Sequence, residues 1–119
     1  MLPSAQRLRS RAEFAAVLSR GRRAKTRNLA VHVLRSEAVG TDDGRARSPR
    51  AGLVVSGKVG NSVVRHRVTR RLRAQLRPLL AELPAGTDVV VRAFASTAGA
   101  SSAGLAADLR TALQRCERR

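Results

Sequence analysis

The sequence predicts an α+β fold in one domain, a two-layer sandwich in which helices pack against a single sheet. Two patterns carry this. Short apolar segments at Asn28 to Leu34, Gly52 to Ser56 and Asp88 to Ala93 read as strands, whereas Val64 to Leu79 and Leu105 to Cys116 repeat with the 3.6-residue period of helices. The length agrees, because 119 residues bury one modest core.

Taken in order, Ser10-Arg11-Ala12-Glu13 has capping-box spacing, and Phe14, Val17 and Leu18 follow at i, i+3 and i+4. A short helix is therefore expected to about Arg20, with Gly21 as its stop. In the next segment Leu29, Val31 and Val33 alternate with Ala30 and His32, which marks a half-buried strand whose Ala30/His32 face is the less apolar one. Ser36 to Pro49 has glycines, mixed charges and no period, and reads as a mobile connection.

Strands are expected at Gly52 to Ser56 and at Asp88 to Ala93, the latter central because Val89-Val90-Val91 is continuously apolar. Ala95 to Ala103, rich in Ala, Ser and Gly, reads as a loop into a last helix capped by Ser101 or Ser102. That helix buries Leu105, Leu109, Ala112, Leu113 and Cys116.

Between the second and third of these strands, Gly57 to Gly60 forms a turn into a helix capped by Asn61. At about 100° per residue, Val64, Val68, Leu72, Leu76 and Leu79 share roughly a third of the circumference and face the core. His66, Arg70, Arg73 and Arg77 lie opposite, Arg67 and Arg71 flank the stripe, and Arg65 sits in the first turn. Pro78 is expected to end or kink this helix near Arg77.

Charge narrows the function. Twenty-four Lys and Arg against eight Asp and Glu give a formal charge of +16, which points to a polyanionic partner. The longest acid-free stretch, Gly44 to Ala81, holds Arg45, Arg47, Arg50, Lys58, Arg65, Arg67, Arg70, Arg71, Arg73 and Arg77 and has the character of a phosphate footprint. A helix built only to be solvated would intersperse acids, since crowded like charges repel along it. Arginine also suits bidentate phosphate contacts better than lysine does.

Other classes lose ground. Phe14 and Phe94 are the only aromatic residues, which argues against a single-strand binder built around aromatic platforms. Cys116 is the only cysteine, which removes an internal disulfide and a cysteine-based zinc cluster. No apolar run of about 18 residues suggests a membrane span, and Arg7, Arg9 and Arg11 interrupt any secretory core, so a cytoplasmic protein is expected. The scattered acids form no catalytic constellation for an independent nuclease. A DNA-binding protein would want a helix-turn-helix or dimerising heptads, and neither is evident.

Lys58-Val59-Gly60-Asn61-Ser62-Val63-Val64-Arg65-His66-Arg67-Val68-Thr69-Arg70-Arg71-Leu72-Arg73 closely resembles the arginine-rich signature of the bacterial ribonuclease P protein component. Arg7-Leu8, Phe14, Val17-Leu18, Gly21, the Leu29 to Leu34 segment, Leu53 to Ser56 and Asp88 to Val91 fall in the order and spacing of that family. The resemblance implies an α-β-β-β-α-β-α order with a left-handed βαβ crossover, a ribosomal-protein-like fold. That order contains one strand more than the apolar patterns show, and Arg22 to Ala24 would supply it.

It further implies a protein subunit that binds the catalytic ribonuclease P RNA and the 5′ leader of precursor tRNA. The RNA performs the endonucleolytic hydrolysis with Mg2+, so no catalytic residue and no metal ligand is assigned to this chain. Lys58, Asn61, Arg65, His66, Arg67, Arg70, Arg71 and Arg73 match the RNA-binding signature. Phe14, Leu18, Ala30 and His32 match the leader-binding cleft. His66 stands where Asn is usual and Thr69 where a basic residue is common, while Leu18 and His32 replace frequent aromatics, which implies weaker discrimination between leaders. Residues 1–119 would then form one RNA-binding domain with a mobile loop at about 36–50 and a short basic C-terminal tail, needing no protein partner and no membrane. A ribosomal-type RNA scaffold is the main rival, separated only by the signature.

Overall fold

The computed structural model describes residues 7, 8, 10–35 and 48–117. Most of the connection expected at about 36–50 and the last two residues of the tail lie outside the described residues, as do Arg9, Arg45 and Arg47. The elements are α1 (Arg11–Arg20), β1 (Arg22–Lys25), β2 (Leu29–Arg35), β3 (Arg50–Val55), α2 (Ser62–Ala81), β4 (Thr87–Ala93) and α3 (Ser102–Glu117). This is the expected α-β-β-β-α-β-α order, with Arg22–Lys25 as the additional strand.

The four strands form one sheet in the order β1-β2-β4-β3, in which β2 is antiparallel to both β1 and β4. β3 runs parallel to β4, so α2 is the crossover between them. The central position of β4 follows from its composition: Val89, Val90 and Val91 are all fully buried, and only a strand covered on both faces can bury a continuous run.

Alternation assigns the two faces. Leu29, Val31, Val33, Val89 and Val91 point to α2 and α3, whose Val68, Leu72, Leu76, Leu79, Leu80, Leu105, Leu109, Ala112, Leu113 and Cys116 complete the main core. Val90 points the other way and packs with Leu8 and Val17, so α1 covers part of the second face. The less apolar face of β2 is nevertheless closed: Ala30 and His32 are buried, not half-exposed as alternation suggested.

Helix ends follow their local chemistry. The Ser10 hydroxyl accepts from the Glu13 amide and the Glu13 carboxylate accepts from the Ser10 amide, completing the capping box. Ser101 caps α3, accepting from the Gly104 amide at 3.0 Å.

Gly21 ends α1 as expected, in an extended conformation, and glycine is needed because a Cβ there would lie 2.4 Å from the Val17 carbonyl oxygen. Two expectations are corrected. Pro78 does not end α2, which continues to Ala81; Pro78 and Ala74 lie on the exposed side, where the carbonyl that loses its partner faces water. Ala95–Gly99, expected as loop, winds into a 3-10 turn around buried Thr97, whose hydroxyl donates to the Phe94 carbonyl.

Candidate nucleic-acid interface

The basic surface starts at a tight entry into α2. After the 3-10 turn Gly57–Val59, Gly60 adopts φ 156°, and a Cβ there would approach Val64 to 2.9 Å. Asn61 then caps the helix, its side-chain oxygen accepting from the Val64 amide at 3.0 Å. Lys58 and Asn61 are exposed beside this turn.

Along α2 the cations divide into three kinds. His66, Arg70 and Arg77 are exposed. Arg71 is anchored, donating from Nη1 to the Ala100 carbonyl at 3.2 Å and so linking α2 to the start of α3. Arg65 and Arg67 are half-buried, and their Nε atoms are enclosed without a hydrogen-bond partner. Enclosed donors of this kind are costly unless an acceptor completes them. Thr69, where the family often has a base, turns inward and donates to the Arg65 carbonyl at 2.8 Å. Among the described residues, no cation from Lys58 to Arg77 pairs with a carboxylate.

Arg73 joins the helix to a second group of candidates. Together with Arg7, Leu8, Phe14, Ala51, Gly52, Leu53, Val55 and Thr69 it lines a cavity of about 380 Å³ at the β3 edge of the sheet, where Arg7 bridges to Ala51. Phe14, from α1, packs against Gly52: a Cβ on that glycine would be 2.3 Å from the ring. The structure therefore places signature residues and the expected cleft residue Phe14 on one concave surface, and adds Gly52. A glycine inside a strand signals close approach of another group, which was the available clue.

Leu18, Ala30 and His32 do not line that cavity. Arg23, His32, Val90 and Gly52 form one cross-strand row on the α1 face of the sheet. His32 thus lies two strands, about 10 Å, from the Gly52 that carries Phe14. Leu18 is exposed on α1. Both ring nitrogens of His32 are buried and unpartnered. Burial, with the nearby Arg92 and Arg23 charges, lowers its pKa. It is therefore neutral at neutral pH, with one donor and one acceptor to offer.

This shift has a sign. The folded chain disfavours the imidazolium, so the contribution of His32 to stability is full above the unfolded value of 6.5 and is lost as pH falls through the lower folded value. Unfolding free energy measured from pH 7.5 to 5 is expected to fall, and His32→Gln to flatten that fall; an equal slope in both proteins would contradict the assignment.

Arg50 departs from the phosphate footprint in which its sequence position put it. Its guanidinium pairs with Asp88 at 2.9 Å, bonds the same carboxylate through Nε at 3.0 Å, and also pairs with Glu13. These contacts raise its pKa, the Asp88 hydrogen bond contributing most, and they fix α1 to β3 and β4. Nothing in the charge pattern distinguished Arg50 from its neighbours, because Glu13 and Asp88 lie far away in sequence.

Among the described residues no three His, Cys, Asp or Glu side chains come together, and no helix is long and apolar enough to cross a membrane. Cys116 is buried in the core with its sulfur near the Arg22 and Val31 carbonyls, as its place in the helical stripe indicated.

Comparison with known proteins agrees with this arrangement. The family model described as Ribonuclease P matches residues 2–117. The chain is 51% identical over 119 residues to a ribonuclease P protein component from Streptomyces avermitilis, covering 97% of this chain and 94% of that one. It is 44% identical over 117 residues to the component from Rhodococcus opacus, covering 98% and 93%. Among solved structures, the RNase P protein of Staphylococcus aureus superposes with a TM-score of 0.75 at 20% identity, over 92% of this chain and 93% of that one. That of Thermotoga maritima gives 0.71 at 22%, over 95% and 96%.

Proposed function

The chain belongs to the bacterial ribonuclease P protein family, and from that membership we propose that it binds both the catalytic RNA and the 5′ leader of precursor tRNA. As a protein component of ribonuclease P it is part of an endoribonuclease that matures tRNA 5′ ends, and its partner in that ribonucleoprotein is RNA.

One observation supports the finer reading best: Arg73 of the arginine helix and Phe14 of α1 line the same cavity. A strand entering it would meet a guanidinium for its phosphate and an aromatic ring for a base, the pairing that single-stranded nucleic acid needs. In this reading Lys58, Arg65, Arg67, Arg70 and Arg73 bind backbone phosphates. Asn61 acts through the helix entry it caps, and Arg71 through the guanidinium donors not used on Ala100. His66 supplies a hydrogen bond at the helix surface. Phe14, kept in place by Gly52, is the leader contact in that cavity, whereas Leu18, Ala30 and His32, which match the cleft by resemblance, lie outside it.

Hydrolysis itself falls to the RNA subunit, and Mg2+ serves the RNA-containing holoenzyme. On the protein side Glu13 and Asp88 are engaged with Arg50, so no step is assigned to a metal held by this chain. The protein's contribution is to hold the leader and neutralise phosphates near the scissile bond, and it works in the cytoplasm.

The holoenzyme is expected to bind precursor tRNA about tenfold more tightly than mature tRNA, since one good base-stacking contact is worth about 1–3 kcal/mol. Phe14→Ala should erase most of that difference while leaving affinity for mature tRNA unchanged. Equal affinities for precursor and mature tRNA in the unmodified holoenzyme would remove the leader from the reading.

A further inference from the structure

The arginine helix and the leader cleft do not account for a second acid-free segment. From Phe14 to Ser36 there is no Asp or Glu, and the segment carries Arg20, Arg22, Arg23, Lys25, Arg27 and Arg35. Three of these converge in space. Arg20 from the last turn of α1, Arg22 from the start of β1 and Arg35 from the end of β2 line a cavity of about 250 Å³ with Val33, Leu34, Cys116 and Glu117.

All three arginines are exposed, and the lining holds one carboxylate against them. Among the described residues Glu117 pairs with Arg35 alone, at 4.0 Å with both side chains about half exposed, a pair worth little in water. Arg22 is oriented by donating from Nη1 to the Cys116 carbonyl at 3.3 Å. A cationic notch with an apolar floor and little internal compensation suits a phosphodiester.

Its place in the fold separates it from the surface already described. β1 and β3 are opposite edges of the sheet, about 14 Å apart at normal strand spacing. The notch shares no lining residue with the cavity that contains Arg73 and Phe14. Charges on an edge strand can simply prevent strand pairing. Edge protection needs cations on β1 alone, however, whereas here three elements bring theirs to one point.

We propose that this notch on the β1 side is a second RNA-backbone site, where Arg20, Arg22 and Arg35 hold phosphates of a segment distinct from the one held by α2. The inference rests on the RNA-binding function proposed above and adds that the protein clamps two RNA segments from opposite sides of its sheet.

Hydroxyl-radical footprinting of a bacterial ribonuclease P RNA bound by the full-length protein tests it. R20Q/R22Q/R35Q should expose a set of nucleotides that R67Q/R70Q leaves protected, with the slope of log affinity against log salt shallower by about 2–3. R20K/R22K/R35K, which keeps the charges, should retain most of that protection. Should the triple Gln variant be unfolded, Arg20→Glu decides, because it reverses a charge at an exposed helix end and must expose the same nucleotides. A footprint and salt slope like those of the unsubstituted protein in these variants, while R67Q/R70Q alters both, would overturn the second site alone. No protection by the unsubstituted protein would overturn the RNA-binding function itself.

Discussion

Replacing Arg67 and Arg70 together by Gln is expected to weaken binding to ribonuclease P RNA about 100-fold at moderate salt, taking charge-assisted hydrogen bonds at about 1.5–3 kcal/mol each and moderate coupling between them. Arg67 is half-buried with an enclosed, unpartnered Nε, a donor that an RNA phosphate would complete in the proposed complex. Arg70 is exposed and supplies charge to the same helix. The salt slope should become shallower by about 1.5–2, as for two lost phosphate contacts. Lys at both positions should recover the slope but only part of the affinity, because an ammonium keeps the charge and loses the planar fork. Binding isotherms across a salt series separate these outcomes. Unchanged affinity in the Gln variant would remove α2 from the interface.

Arg50→Met is expected to destabilise the fold by about 2–4 kcal/mol, because it removes the guanidinium shared by two carboxylates that are mostly shielded from water. The Glu13, Arg50 and Asp88 side chains are 27%, 20% and 11% exposed, so solvent screens the contact only in part. The same contact ties α1 to the sheet, and α1 carries Phe14. Chemical denaturation should therefore show a lower midpoint with little change in slope. Where the variant remains folded, leader-dependent affinity should fall while affinity for mature tRNA holds. A stability within about 0.5 kcal/mol of the unsubstituted protein, the range of ordinary surface substitutions, would show that packing of Val17 and Leu8 alone seats α1.

Much of this structure was legible locally. The capping box at Ser10, the Asn61 cap and the stripe from Val68 to Leu79 are nearest-neighbour patterns, and each appears where the spacing puts it. β1 was harder, because Arg-Arg-Ala-Lys has no apolar alternation; only the resemblance called for a strand there, and as an edge strand it buries just Ala24. Pro78 misled because a proline is tolerated near a helix end when the orphaned carbonyl faces water.

The candidate site was legible where charge pattern and motif coincide and opaque where the fold decides. Arg50 and Arg67 look alike in sequence, yet one is bound by acids from α1 and β4 while the other pairs with no acid among the described residues. Gly52 mattered only once Phe14 was seen lying on it. The His32 side of β2 was correctly separated from the Leu29 side, but its burial depends on neighbouring elements that the alternation of one strand does not describe.

Precursor-tRNA cleavage at low magnesium by a bacterial ribonuclease P RNA, with and without this protein, tests the proposed function most directly. Cleavage at the mature 5′ end that depends on the protein is the expected result, lost in R67Q/R70Q and restored by raising magnesium. RNA binding with no stimulation of cleavage at any magnesium concentration would contradict it, and would make this chain an RNA scaffold of the ribosomal kind.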